Sequence, residues 1–184
     1  GRIHAHYGVF SPLRGEYIDL VAQAPLPPQT DLAFDIGTGS GVLAAVLAQR
    51  GVARVIGTDQ SDRALACAHD NLTRLKLIRQ VELQKVDLFP AGQAPLVVCN
   101  PPYGARVGEG EDLRPLYREL GELLKTRHMG GDAAVLLEDR ELGFAIGLRA
   151  KKVYELYNGA MPVQLLRFKI EASAIQRPRS ERPV

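Results

Sequence analysis

Asn100-Pro101-Pro102-Tyr103 follows the apolar run 95–99, which places it where a buried strand opens into a cleft. It offers hydrogen-bond acceptors stiffened by two prolines beside an aromatic face. That set suits a flat substrate carrying an NH2 group. The Asn100 side-chain oxygen and the Pro101 carbonyl can accept the two N–H protons while Tyr103 stacks on the plane. Alone, the same four residues also suit a plain turn. A second chemical element is the loop Asp35-Ile36-Gly37-Thr38-Gly39-Ser40-Gly41, whose glycines permit a tight turn and a close backbone approach to a nucleotide. A dinucleotide fingerprint wants glycines at its first, third and sixth positions. Counting from Gly37, the sixth position is Val42 and the third glycine falls at the fifth, which weighs against NAD.

The elements that must position these residues are legible as an alternation. Residues 33–36, 54–58, 80–84, 95–99 and 133–137 read as short strands, being compact, apolar or β-branched, and bounded by Gly, Asp or Pro. Between them, Val42, Leu43, Val46 and Leu47 form one helical face, and Ala64, Leu65, Ala68, Leu72 and Leu75 a second. Leu113, Leu116, Tyr117, Leu120 and Leu124 form a third. Strand alternating with helix predicts an α/β fold with a parallel sheet covered on both faces. Residues 151–157 and 163–170 break the rhythm, because the five residues between them are too few for a crossover helix. They are expected to pair as an antiparallel hairpin, giving seven strands in all. Residues 11–24 read as a capping helix ended by Pro25-Leu26-Pro27-Pro28.

The chain has 184 residues, 46% of them hydrophobic, enough for one ordinary core. We expect one domain over 1–174 and a disordered basic tail over 175–184, where Arg, Pro and Ser leave almost nothing to bury. Cys67 and Cys99 lie apart in apolar surroundings and read as buried thiols of a reducing compartment. The four histidines lack ligand spacing, so no metal is expected. No apolar run nears the roughly 20 residues of a membrane helix, and no signal peptide is visible, which predicts a cytoplasmic protein without membrane contact. A chain opening on Gly1 is also consistent with an excised domain, so a further RNA-binding domain could lie outside it. Charge is uneven: residues 1–139 carry 14 basic and 17 acidic side chains, and residues 140–184 carry 9 and 4. Such a basic portion gives nucleic acid a foothold, or is merely a solvated surface.

The glycine spacing, with Asp35 at the strand end, resembles motif I of the class I S-adenosylmethionine-dependent methyltransferases, whose sheet is Rossmann-like. The resemblance implies S-adenosyl-L-methionine as cofactor, with Asp35, Gly37, Thr38, Gly39 and Gly41 around its methionine part. It implies Asp59 and Gln60 near the ribose hydroxyls, and Asp87 with the Leu88 backbone N–H near the adenine. Taken singly, either Asp could equally cap a helix. Asn100 would end the fourth strand beside the cofactor. Tyr7-Gly8-Val9-Phe10-Ser11 resembles the Gly-Val-Phe-Ser element of small-domain ribosomal RNA methyltransferases, in which it helps to close the cofactor pocket; Phe10 is the candidate contact, or a loop aromatic packed under the helix.

Within this superfamily Asn-Pro-Pro-Tyr implies transfer to a planar exocyclic or amide nitrogen, with Asn100, Pro101, Pro102 and Tyr103 as the catalytic set. Over residues 34–171 the chain resembles the guanine-N2 RNA methyltransferases of the THUMP-containing type, through Asn-Pro-Pro-Tyr-Gly followed by Arg106 and through Tyr157-Asn158-Gly159. The implied partner is RNA, most specifically ribosomal, and the implied acceptor is guanine N2. Alternatives are an N6-adenine nucleic-acid methyltransferase, a protein glutamine-N5 methyltransferase, and a cofactor-binding scaffold without catalysis. Arg106, Lys151 and Lys152 are candidate phosphate contacts, although the two lysines could equally solubilise an edge strand.

Overall fold

The computed structural model of the chain describes residues 2–9, 16–101, 112–158 and 161–176. The element order is α1 (Glu16–Gln23), β1 (Leu32–Ile36), α2 (Val42–Gln49), β2 (Arg54–Asp59), α3 (Asp62–Arg74) and β3 (Val81–Lys85). It continues with β4 (Leu96–Cys99), α4 (Arg114–Arg127), β5 (Asp132–Leu137), α5 (Arg140–Ala145), β6 (Lys152–Asn158) and β7 (Met161–Lys169). The strands form one seven-stranded sheet in the order β3-β2-β1-β4-β5-β7-β6. The first five strands are parallel, and β7 is antiparallel to both β5 and β6. This is the doubly wound α/β sheet expected from the alternation.

Both faces of the sheet are buried, and alternate residues within single strands feed different cores. Ala33, Leu96, Val98, Ala134 and Leu165 pack with α1, α2 and α3 on one side. Phe34, Val97, Cys99, Val135 and Leu166 pack with α4 and α5 on the other. Two helix faces differ from the pattern expected. In α2 the buried residues are Leu43, Ala44, Ala45, Leu47 and Ala48, while Val42 and Val46 are only half-buried, because the small alanines let the helix lie close to the sheet. α5 has no precursor in the periodicity; its six residues are too few for one, and Asp139 caps it by accepting from Glu141 N at 2.8 Å.

The hairpin is tighter than expected, since Asn158 pairs with Met161 and the strands extend into what reads as a linker. Pro162 is accommodated because β7 runs past its last β5 partner, Gln164, and there has only β6 beside it. Ile175 and Gln176, assigned to the tail by composition, are held: Ile175 bridges to Leu148 and Gln176 N donates to Gly147 O at 3.0 Å. Residues 177–184 lie outside the described residues. Among the described residues no helix is long and apolar enough to cross a membrane.

Candidate functional site

The carboxyl ends of β1, β2, β3 and β4 converge on a cavity of about 340 Å³, where open α/β sheets place their ligands. Its walls include Gly37, Gly39, Asp59, Gln60, Asp87, Leu88, Asn100 and Pro101 from four successive strand ends. The loop after β1 is suspended from behind. Asp35 is fully buried, and its Oδ2 accepts from Thr38 Oγ1 at 2.7 Å and from Ala44 N at 2.9 Å. Burial pushes its carboxyl up to about 6, against these two hydrogen bonds, and the charge of Asp59 adds to the rise.

Gly37 has φ of 72°, and a Cβ built there would lie 2.6 Å from the Asn100 carbonyl oxygen. The glycine loop and the start of the Asn-Pro-Pro segment therefore touch through main chain, and Asn100 N donates to Ile36 O at 2.9 Å. Asp59 at the end of β2 accepts from Gly39 N through Oδ2 and from Ser61 N through Oδ1, both at 3.0 Å. Each oxygen keeps a lone pair for a hydroxyl in the cavity. Gln60 Nε2 donates to Asp87 O and Thr58 Oγ1 to Leu88 O, both at 3.2 Å, so the ends of β2 and β3 are tied to each other.

Residues 39–167 match the family model described as "RMKL-like, methyltransferase domain". The chain belongs to this family. A ribosomal RNA large subunit methyltransferase K/L of Methylococcus capsulatus is 41% identical over 142 residues, which cover 74% of this chain and 19% of that protein. The protein of the same name from Syntrophotalea carbinolica is 41% identical over 140 residues, covering 69% and 20%. The chain thus spans about a fifth of the length of these relatives.

Solved structures show the same fold. A possible methylase from Clostridium difficile 630 superposes with a TM-score of 0.74 at 17% identity, covering 92% of this chain and 55% of that one. SMU.472, a putative methyltransferase complexed with SAH, gives 0.67 at 21% identity, covering 88% and 53%. A methyltransferase domain of this fold takes its methyl group from S-adenosylmethionine.

In this methyltransferase domain the expected contacts divide into two groups. Gly37, Gly39, Asp59, Gln60, Asp87, Leu88, Asn100 and Pro101 line the cavity, whereas Asp35, Thr38 and Gly41 do not. The Asp35 and Thr38 side chains hold one another under the loop, and Gly41 lies flush on α3, 3.1 Å from the Ala68 Cβ were a Cβ added. Asn100 is buried, and its Oδ1 has no hydrogen-bond partner among the described residues. Such an orphaned acceptor at a cavity wall is what a ligand N–H would complete.

Gly8 and Val9 add a wall from the N-terminal segment, while Phe10, Pro102, Tyr103 and Arg106 lie outside the described residues. The late hairpin is tied to the start of α1, since Tyr157 N donates to Glu16 Oε2 at 3.2 Å. Neither Lys151 nor Lys152 is among the residues that line the cavity. They stand at the start of β6, the edge strand three strands from β4, where Lys152 pairs with Arg167. Sequence reading also overlooked Ser61, whose Oγ caps α3 by accepting from Ala64 N at 3.3 Å and which lines the cavity; a Ser just before a helical run is the signal that could have found it.

Proposed function

We propose that the chain transfers a methyl group from S-adenosylmethionine to an exocyclic amine of an RNA base, guanine N2 in ribosomal RNA, in the cytoplasm. The observation that carries this reading is the buried, unpartnered Asn100 Oδ1 on the wall of the cavity. The residues present fit the cofactor. Glycine main chain at Gly37 and Gly39 leaves room for its amino-acid end, and the Asp59 carboxylate suits a ribose diol. Ile36, Val86 and Leu88 give an apolar bed for adenine beside the exposed Asp87 carboxylate. When bound, the cofactor supplies a methyl group made electrophilic by its sulfonium.

The difficulty lies with the acceptor, because the lone pair of an aromatic NH2 is delocalised into its ring. Asn100 Oδ1 and the Pro101 carbonyl, accepting one N–H each, would localise that pair and fix its direction. An amide cannot take a proton, so Asn100 orients the amine without acting as a base. A base within a duplex cannot enter such a cavity, so the substrate is a flipped or single-stranded nucleotide. The names of the relatives, ribosomal RNA large subunit methyltransferase K/L, support RNA as the acceptor class.

The test is transfer of labelled methyl from S-adenosylmethionine to large-subunit ribosomal RNA and to ribosomal protein, followed by nucleoside mass spectrometry. N2-methylguanosine is expected. N6-methyladenosine would replace the base assignment, and label on protein alone would overturn the RNA reading.

A further inference from the structure

Asn71 stands on α3 outside the cavity, yet its amide joins two of the cavity's walls. It is buried at 1% exposure, and its amide is fully used. Oδ1 accepts from His4 N at 2.9 Å and from the Arg74 guanidinium. Nδ2 donates to His4 O at 2.8 Å and to Ser40 O at 3.0 Å. Bonding both the N–H and the C=O of one residue is what a neighbouring strand does, but here a single side chain does it. Segment 2–9 is thereby strapped along α3, with weaker support from Cys67, whose Sγ accepts from His6 N at 3.4 Å and donates to His4 O at 3.3 Å. The strap then delivers Gly8 and Val9 to the cavity wall. The opposite bond, to Ser40 O, reaches the glycine loop that forms the facing wall.

Packing alone does not hold the strap, because residues 4–8 are exposed. Its other ties are bonds from Arg63 to Tyr7 O and from Arg74 to Arg2 O, both at exposed positions, and an exposed pair between His6 and Asp70. Exposed ties of this kind contribute little. We propose that Asn71 is a positioning residue for the cofactor: one buried amide fixes the strap and the glycine loop relative to each other, and so sets the affinity of the cavity between them. Without it, binding must also re-order the strap, and that entropy is subtracted from affinity. The inference rests on assigning the cavity to S-adenosylmethionine.

The test uses the full chain and calorimetric titration with S-adenosylhomocysteine, comparing wild type, Asn71→Ala and His4→Pro. The proline removes the N–H given to Asn71, fixes φ at its own position and favours an extended Ile3, and it replaces an exposed side chain, so the core is untouched even should Asn71→Ala fold poorly. Each variant is expected to bind about tenfold more weakly, as for loss of roughly one buried hydrogen bond. The double variant is expected to be no worse than Asn71→Ala, because both cut the same link. Amide exchange over residues 4–9 should speed up in parallel. In turnover the KM for S-adenosylmethionine should rise while kcat and the KM for RNA stay put, a split that general loss of stability does not produce. Wild-type affinity in the folded His4→Pro variant, or additive losses in the double, would overturn the clamp while leaving the cavity assignment standing. A wild-type chain that bound no S-adenosylhomocysteine would overturn both.

Discussion

Replacing Asp35 by Asn tests whether the glycine loop hangs from a carboxyl that the fold favours in its protonated form. The side chain is fully buried, its Oδ2 accepts from Thr38 and Ala44, and its Oδ1 has no partner among the described residues. Burial lifts the group from its ordinary 3.8 to about 6. A carboxyl raised on folding binds its proton more tightly in the folded state. Its stabilising contribution is therefore full below pH ~4 and is lost as the pH rises through about 6. The rise of about 2.2, at roughly 1.36 kcal/mol per pH unit, corresponds to about 3 kcal/mol between those limits. An asparagine can still accept from Thr38 and Ala44 but does not ionise. Urea unfolding of both proteins from pH 4 to pH 7.5 should then show wild type losing about 3 kcal/mol relative to Asp35→Asn as the pH rises. Parallel curves, or a wild type that gains on the variant with rising pH, would refute the reasoning.

Asn100→Ala should lower single-turnover methyl transfer to RNA on the order of a hundredfold, with affinity for S-adenosylhomocysteine retained; unchanged transfer would remove Asn100 from the acceptor site. Gly121→Ala should destabilise the fold by about 3 kcal/mol or more in urea, because its Cβ would sit 2.0 Å from the Ile146 carbonyl oxygen, where α4 and α5 meet through backbone that cannot give way. A variant as stable as wild type would show that the two helices can part cheaply. Changing Lys151 and Lys152 together to Ala should leave cofactor affinity and the single-turnover rate on bound RNA unchanged, since neither lines the cavity and β6 is the edge strand, three strands from β4. A loss in either quantity would mean that this edge of the sheet reaches the cavity.

The strands were legible because the chemistry of each is uniform. Leu96, Val97, Val98 and Cys99 are buried on both faces, so an unbroken apolar run marks a strand without any alternation to read. What remained hidden needed information from outside the segment. The alanines of α2 carry little hydrophobic signal yet lie deepest, because closeness of approach rather than apolar bulk decides burial there. Lys151 and Lys152 read as RNA contacts from charge, but their place on the edge strand, three strands from β4, follows only from the strand order. Asp35 reads as a ligand contact through the resemblance of its loop to motif I, but α2 packs over it and its carboxyl accepts from Ala44 N. Asn71 belongs to no motif, and its partners, His4 and Ser40, are 67 and 31 residues away.

These cases share a cause that concerns where the molecule buries its polarity. The buried polar residues among those described are Asp35, Thr38, Ser40, Thr58, Asn71, Asn100 and His128, and all but Asn71, on α3, and His128 lie at the carboxyl ends of β1, β2 and β4 or in the loop after β1. Burying such groups is costly unless they are bonded, so their concentration at one site calls for a reason. Asp35, Thr38 and Asn71 answer it by holding the loop from behind, which leaves the main chain of Gly37 and Gly39 facing the cavity. The side chains with the strongest motif signal are thus the scaffold. The groups that can touch a ligand are glycine backbone, Asp59, Asp87 and Asn100 Oδ1, a buried acceptor on the cavity wall with no partner among the described residues. A loop held rigid from its buried side presents its backbone without reorganisation when the ligand arrives, and that preorganisation offsets the cost of the burial.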